Sequence, residues 1–157
     1  MKPPASASST PVPRPPPKIV SVLETCIYAE DVERAARFYE ELFGFRRMSF
    51  DHRFCALAVT APGSAAASVL LIFLAGGTLQ PIALPGGVIP PHDGIAGGHF
   101  AFAIAKEDLG AWEQRLAEAG IPLESRVRWE HGGVSIYFRD LDENLVELAT
   151  PGIWPIY

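Results

Sequence analysis

From Ile19 onward the chain writes one pattern twice: a strand, an amphipathic helix, then three more strands. Such a unit has one apolar sheet face and one apolar helix stripe, and each must cover the other, which makes α+β the predicted fold class. In the first copy a strand over residues 19–29 meets Glu30-Asp31. Val32, Ala35, Ala36, Tyr39, Leu42 and Phe43 then recur at helical spacing, with Asp31 as N-cap and Gly44 as the stop. Strands follow near residues 46–50, 53–60 and 68–74, with a turn at Pro62-Gly63. The second copy runs from a strand at 99–105 through a helix with Leu109, Trp112, Leu116 and Ala119 on one face. Gly120 ends that helix, and strands follow at 127–129, 134–139 and 144–150 around a His131-Gly132-Gly133 turn.

The flanking segments divide the rest. Residues 1–18 hold seven prolines among Ser, Thr and Ala and are predicted to be a disordered tail. The domain is then 19–157, with modules 19–75 and 98–157. The glycine- and proline-dense stretch 76–97 between them reads as a flap, too rich in breakers for an element of its own.

Composition narrows the partners. No apolar run approaches a bilayer span, and the N-terminus shows no secretory h-region, so no membrane role is expected. Lys2, Arg14 and Lys18 precede residue 20, so 10 of the 13 basic residues but all 18 acidic ones fall after it, a formal −8. That balance, with no clustered cations, excludes a nucleic-acid groove. Cys26 and Cys55 make no disulfide framework, which points to a reducing cytoplasm.

Strand alternation puts Glu24, Cys26 and Tyr28 on one face of the first strand, and His99, Ala101 and Ala103 on the corresponding face of its counterpart. The opposite set, Phe100, Phe102 and Ile104, suits the underside of a helix. His99 and Glu147 are 48 residues apart, and 48 residues after Glu24 comes Ile72. Four related positions therefore read Glu24, Ile72, His99 and Glu147, three of which can bind a metal. A carboxylate inside an apolar strand is costly unless paired or coordinated. Glu24, His99 and Glu147 together are a mixed N/O set suited to Mn²⁺, Fe²⁺, Zn²⁺, Co²⁺ or Ni²⁺. The competing reading pairs Glu24 with Arg53 or Arg139 and leaves His99 as a hydrogen-bonded core histidine.

The stretches 22–45 (VLETCIYAEDVERAARFYEELFGF), 97–120 (GGHFAFAIAKEDLGAWEQRLAEAG) and 135–152 (SIYFRDLDENLVELATPG) resemble the vicinal-oxygen-chelate superfamily. That superfamily holds glyoxalases, fosfomycin-resistance proteins, extradiol dioxygenases and bleomycin-resistance proteins. The resemblance implies paired βαβββ modules in an open, glyoxalase-like half-barrel with helices outside, a metal chelating two adjacent substrate oxygens, and a homodimer with clefts completed across subunits. It assigns His99 and Glu147 as metal ligands. Glu24 falls where many members have histidine, which makes the set more anionic and leaves Glu24 the option of acting as a base. Leu141 and Glu143 replace the Pro and Gly of the family's last turn, an expected change to a surface hairpin only.

Tyr137, on the face of Glu147, is a candidate to hydrogen-bond a substrate oxygen, or a packed aromatic. Cys26 is expected to be a small buried thiol. His52, His92 and His131 are expected to be structural or exposed, His92 being the one a closing flap would bring to a ligand. The apolar segment 153–157 is expected to pack over the cleft mouth or a partner subunit. The functions in view are a metal-dependent isomerase, lyase or thiol/epoxide transferase on a small oxygen-bearing molecule, a metal-free drug- or metabolite-binding protein with Trp112, Trp129 or Trp154 as stacking surface, an extradiol-type dioxygenase, and a subunit kept for assembly only.

Overall fold

A computed structural model describes residues 16–60 and 67–157. The expected tail (apart from residues 16–18, which form no element) and the Pro62-Gly63 turn lie outside them. Two four-stranded sheets carry the two modules. β1 (Glu24–Ala29), β2 (Arg46–Asp51), β3 (Phe54–Ala58) and β4 (Val69–Leu74) form the first, in the order β1-β4-β3-β2. β7 (His99–Ala103), β8 (Ser125–Arg128), β9 (Val134–Arg139) and β10 (Leu145–Ala149) repeat it as β7-β10-β9-β8. In each sheet the first strand of the module lies at one edge and pairs in parallel with the last, and the other pairings are antiparallel. The sheets are open, as expected.

α1 (Val32–Phe43) forms for the anticipated reasons. The Asp31 side chain accepts from Arg34 N at 3.0 Å, and Gly44 takes the left-handed conformation that ends the helix, at φ 73°. Its buried stripe of Ala35, Ala36 and Tyr39 packs on Ile27, Leu57, Leu70 and Ile72 of the first sheet. α2 (Leu109–Glu118), preceded by a turn of 3-10 helix over Lys106–Asp108, covers the second sheet with Leu109, Leu116 and Trp112. Phe38, Phe43, Phe100 and Phe102 belong to both cores and join the modules.

Three expectations are corrected. β1 begins at Glu24, and Ile19, Val20, Val22 and Leu23 before it are exposed, because the parallel pairing with β4 starts only at the Glu24–Val69 register. The 76–97 segment does contain strands, β5 (Ile82–Leu84) and β6 (Gly87–Ile89), a short ribbon turned by Pro85-Gly86. The 140–144 turn is not merely a surface hairpin. Asp140, Asp142 and Asn144 are buried and hold the first module: Tyr39 Oη donates to Asp140 at 2.6 Å, and the Glu30 amide to Asp142 at 2.9 Å. On the single chain Trp154 and Ile156 of the C-terminal segment are exposed, and the Tyr157 hydroxyl donates to the Ala149 carbonyl oxygen at 3.0 Å.

Candidate metal half-site and the apolar cavity

The second sheet brings His99, Glu147 and Tyr137 together. Glu147 stands directly across β9–β10 from Tyr137 and two residues along β10 from Leu145, the register partner of His99, and the His99 and Tyr137 rings lie 6.2 Å apart. His99 Nδ1 is 3.0 Å from the Leu145 carbonyl oxygen, which can only accept, so Nδ1 carries the proton. In neutral imidazole Nε2 then presents a lone pair, and it lies 3.4 Å from Glu147 Oε2. The other carboxylate oxygen, Oε1, is buried with no hydrogen-bond partner. Two acceptors facing one another, one of them on a carboxylate that is 6% exposed, need something positive between them. Two ligands about 2.1 Å from one ion at a tetrahedral angle stand about 3.4 Å apart. Burial raises the Tyr137 hydroxyl above its ordinary pKa, the neighbouring Ser135 hydroxyl opposing the shift and Glu147 adding to it, so Tyr137 remains a donor at neutral pH.

Glu24 is elsewhere. It is exposed on the open face of the first sheet, and among the described residues no three His, Cys, Asp or Glu side chains converge within one chain. Neither does it take the expected ion pair. Arg139 is bound to Glu124 at 2.7 Å, and no partner for Glu24 occurs among the described residues. Ile72 is also displaced from its expected role. Glu24 pairs with Val69, 45 residues on, whereas His99 pairs with Leu145, 46 residues on. That odd difference turns the face over, so Ile72 lies in the core at 0% exposure and Leu71 is the counterpart of Glu147.

Around Glu24 is a cavity of about 750 Å³, floored by β1, β3 and β4 and roofed by the β5–β6 ribbon. Tyr28, Phe54 and Phe73 make its floor. His92 lines the same cavity, its Nδ1 hydrogen-bonded to Tyr28 Oη at 2.9 Å and its ring 4.7 Å from that of Phe73. A Cβ at residue 94 would stand 2.6 Å from the Tyr28 ring, so Gly94 lets the strap seat there. Cys26 is exposed and lines the cavity, contrary to expectation; the buried thiol is Cys55. Sequence reading missed this cavity, since its walls are ordinary strand aromatics. The one available signal was the Glu24, Cys26, Tyr28 alternation beside a glycine-rich flap.

No helix among the described residues is long and apolar enough to cross a membrane. Over 64 residues the chain is 42% identical to the metallothiol transferase FosB of Bacillus licheniformis, a stretch that is 40% of this chain and 40% of that one. The matched segment thus spans well under half of that relative. The crystal structure of lactoylglutathione lyase from Agrobacterium tumefaciens is similar with a TM-score of 0.73 at 28% identity, covering 86% of this chain and 96% of that one. A fosfomycin resistance protein FosX variant from Listeria monocytogenes, complexed with Mn(II) and 1S,2S-dihydroxypropylphosphonic acid, shares the fold. Its TM-score is 0.59 at 20% identity, over 83% of this chain and 90% of that one. Residues 19–148, nearly all of the two modules, match the family described as the Glyoxalase/Bleomycin resistance protein/Dioxygenase superfamily, and the chain belongs to it.

Proposed function

We propose that the protein is a metal-dependent enzyme acting on a small molecule with two adjacent oxygens, of the isomerase, lyase or thiol/epoxide transferase kind. One observation carries this reading: the His99 Nε2 lone pair and the Glu147 carboxylate face each other at 3.4 Å, with Glu147 Oε1 buried and unpartnered. The donor set fits a borderline divalent ion, and the Nδ1–carbonyl bond is the outer contact that fixes such a histidine. The likeness to a metallothiol transferase and a lactoylglutathione lyase agrees.

In this reading His99 and Glu147 of one subunit meet Glu24 of another in a homodimer, completing a three-ligand site with open positions. The ion, when bound, supplies Lewis-acid polarisation of substrate oxygen. Tyr137, kept protonated by burial, donates a hydrogen bond to the oxygen on which negative charge develops. Glu24, exposed on the first sheet, either completes the ligand set or takes a proton from the substrate. A dioxygenase is disfavoured because Glu24 stands where a neutral imidazole would leave the iron less anionic. Free Cys26 and Cys55 suit a reducing compartment.

Elemental analysis after purification without chelator tests this. The expected result is one divalent ion per site, lost in His99→Ala and Glu147→Gln. Absence of stoichiometric metal, together with refusal of added Mn²⁺, Zn²⁺ or Ni²⁺, would overturn it and leave the metal-free binding protein, which the size of the apolar cavity also suits.

A further inference from the structure

The chemistry of the cavity wall specifies the rest of the substrate. Beyond Glu24 the floor is aromatic: the Phe73 ring lies 5.1 Å from that of Phe54 and 5.9 Å from that of Tyr28. Above it the ribbon points unsatisfied apolar groups at the space. Leu84 and Ile89 both line the cavity, yet remain 52% and 41% exposed. Two such surfaces left facing one another across a cavity of about 750 Å³ mark a place for an apolar ligand of drug-like size.

The same wall argues against a compact polyanion. A phosphonate or phosphate group is gathered by several cationic donors. Here Arg53 is the one Lys or Arg side chain lining the cavity among the described residues, and Glu24 and Asp51 line it as well. The second sheet's open face would bring no free cation, since Arg139 is held by Glu124, and Arg126, alternating to the helix side, by Glu113.

We infer that the substrate carries its two adjacent oxygens at one end of an aryl body, the oxygens at the Glu24 end and the ring between the Tyr28–Phe73 floor and the β5–β6 ribbon. This rests on the metal-site reading for the oxygens, and on the cavity alone for the ring. Aromatic rings on the floor favour offset or edge contacts with such a body, which a methyl or phosphonate group would not make.

Mandelate and lactate, which differ only in phenyl for methyl, serve as probes with the purified full chain loaded with Mn²⁺. Titration calorimetry is expected to find mandelate at least about tenfold tighter. The Leu84→Ser/Ile89→Ser variant, altered only at exposed ribbon positions, should cut that preference to about threefold or less, with lactate as reference. Equal affinity for the two acids, or a preference indifferent to the ribbon variant, overturns the inference. If the protein takes up no metal, 2-naphthol is tested on the metal-free chain by its protection of Cys26 from thiol reagents. Protection that the ribbon variant loses upholds the aryl site while the metal reading fails; no protection overturns the aryl site itself.

Discussion

His99 and Glu147 face one another across parallel strands with Nε2 and Oε2 3.4 Å apart, while the far side of the imidazole is tied to the Leu145 carbonyl. This half-site lies on the second sheet and Glu24 on the first, so the proposed three-ligand centre would be assembled between two chains. With Glu24 as the third ligand, Glu24→Ala and His99→Ala proteins each bind no metal alone, and mixing them should restore binding after subunit exchange. Each mixed dimer has one intact site, so random exchange recovers roughly a quarter of wild-type capacity, measured as bound metal. No recovery in demonstrably mixed dimers would refute assembly of the site between chains.

The Tyr39–Asp140 bond is predicted to hold the modules together. Tyr39→Phe removes one donor from a buried carboxylate and should cost about 2 kcal/mol. In a domain of this size that is a fall in Tm of roughly 4–8 °C by calorimetry. Amides of 140–144 should exchange faster in the variant, which a change confined to α1 would not produce.

Alkaline titration should expose the buried thiol. Burial pushes Cys55 up to about 11 from 9.0, with Glu40 and Glu33 adding and Arg47 opposing. Because its folded pKa is raised, its contribution is intact below pH 9 and is lost as pH climbs toward 11, on the order of 2 kcal/mol in all. Tyr39, raised first by burial and then by Asp140, adds a further loss above pH 10. Cys55→Ala should flatten the fall between pH 9 and 10 in denaturant-unfolding experiments while leaving the Tyr39 loss above pH 10.

Glu143 is the one non-glycine residue at positive φ among the described residues, at 61°. A side chain there costs about 1–2 kcal/mol, offset by the roughly 0.5–1 kcal/mol of extra chain entropy that glycine loses on folding. Glu143→Gly is therefore expected to raise stability by about 0.5–1 kcal/mol, read from the denaturant midpoint at unchanged slope. A loss of stability would mean that the Glu143 side chain contributes more than its backbone costs.

Residue periodicity alone determined the two βαβββ modules, the caps of α1 and the face on which Glu24, His99, Glu147 and Tyr137 lie, since period 2 in strands and 3.6 in helices are local properties. It also brought out the chemistry of the His99–Glu147 pair, because a carboxylate in an apolar strand is conspicuous without coordinates. It could not count register through loops. One residue of difference between Glu24–Val69 and His99–Leu145 exchanged Ile72 for Leu71, since an odd offset reverses every side chain. Tertiary structure alone decided that Glu24 stands apart from His99 and Glu147, that Cys26 is open and Cys55 closed, that the 140–144 turn braces α1, and that a ribbon roofs an aromatic cavity. Each of these depends on which surfaces meet across long sequence separations, where burial and pairing are set by packing between modules and not by any residue's neighbours in the chain.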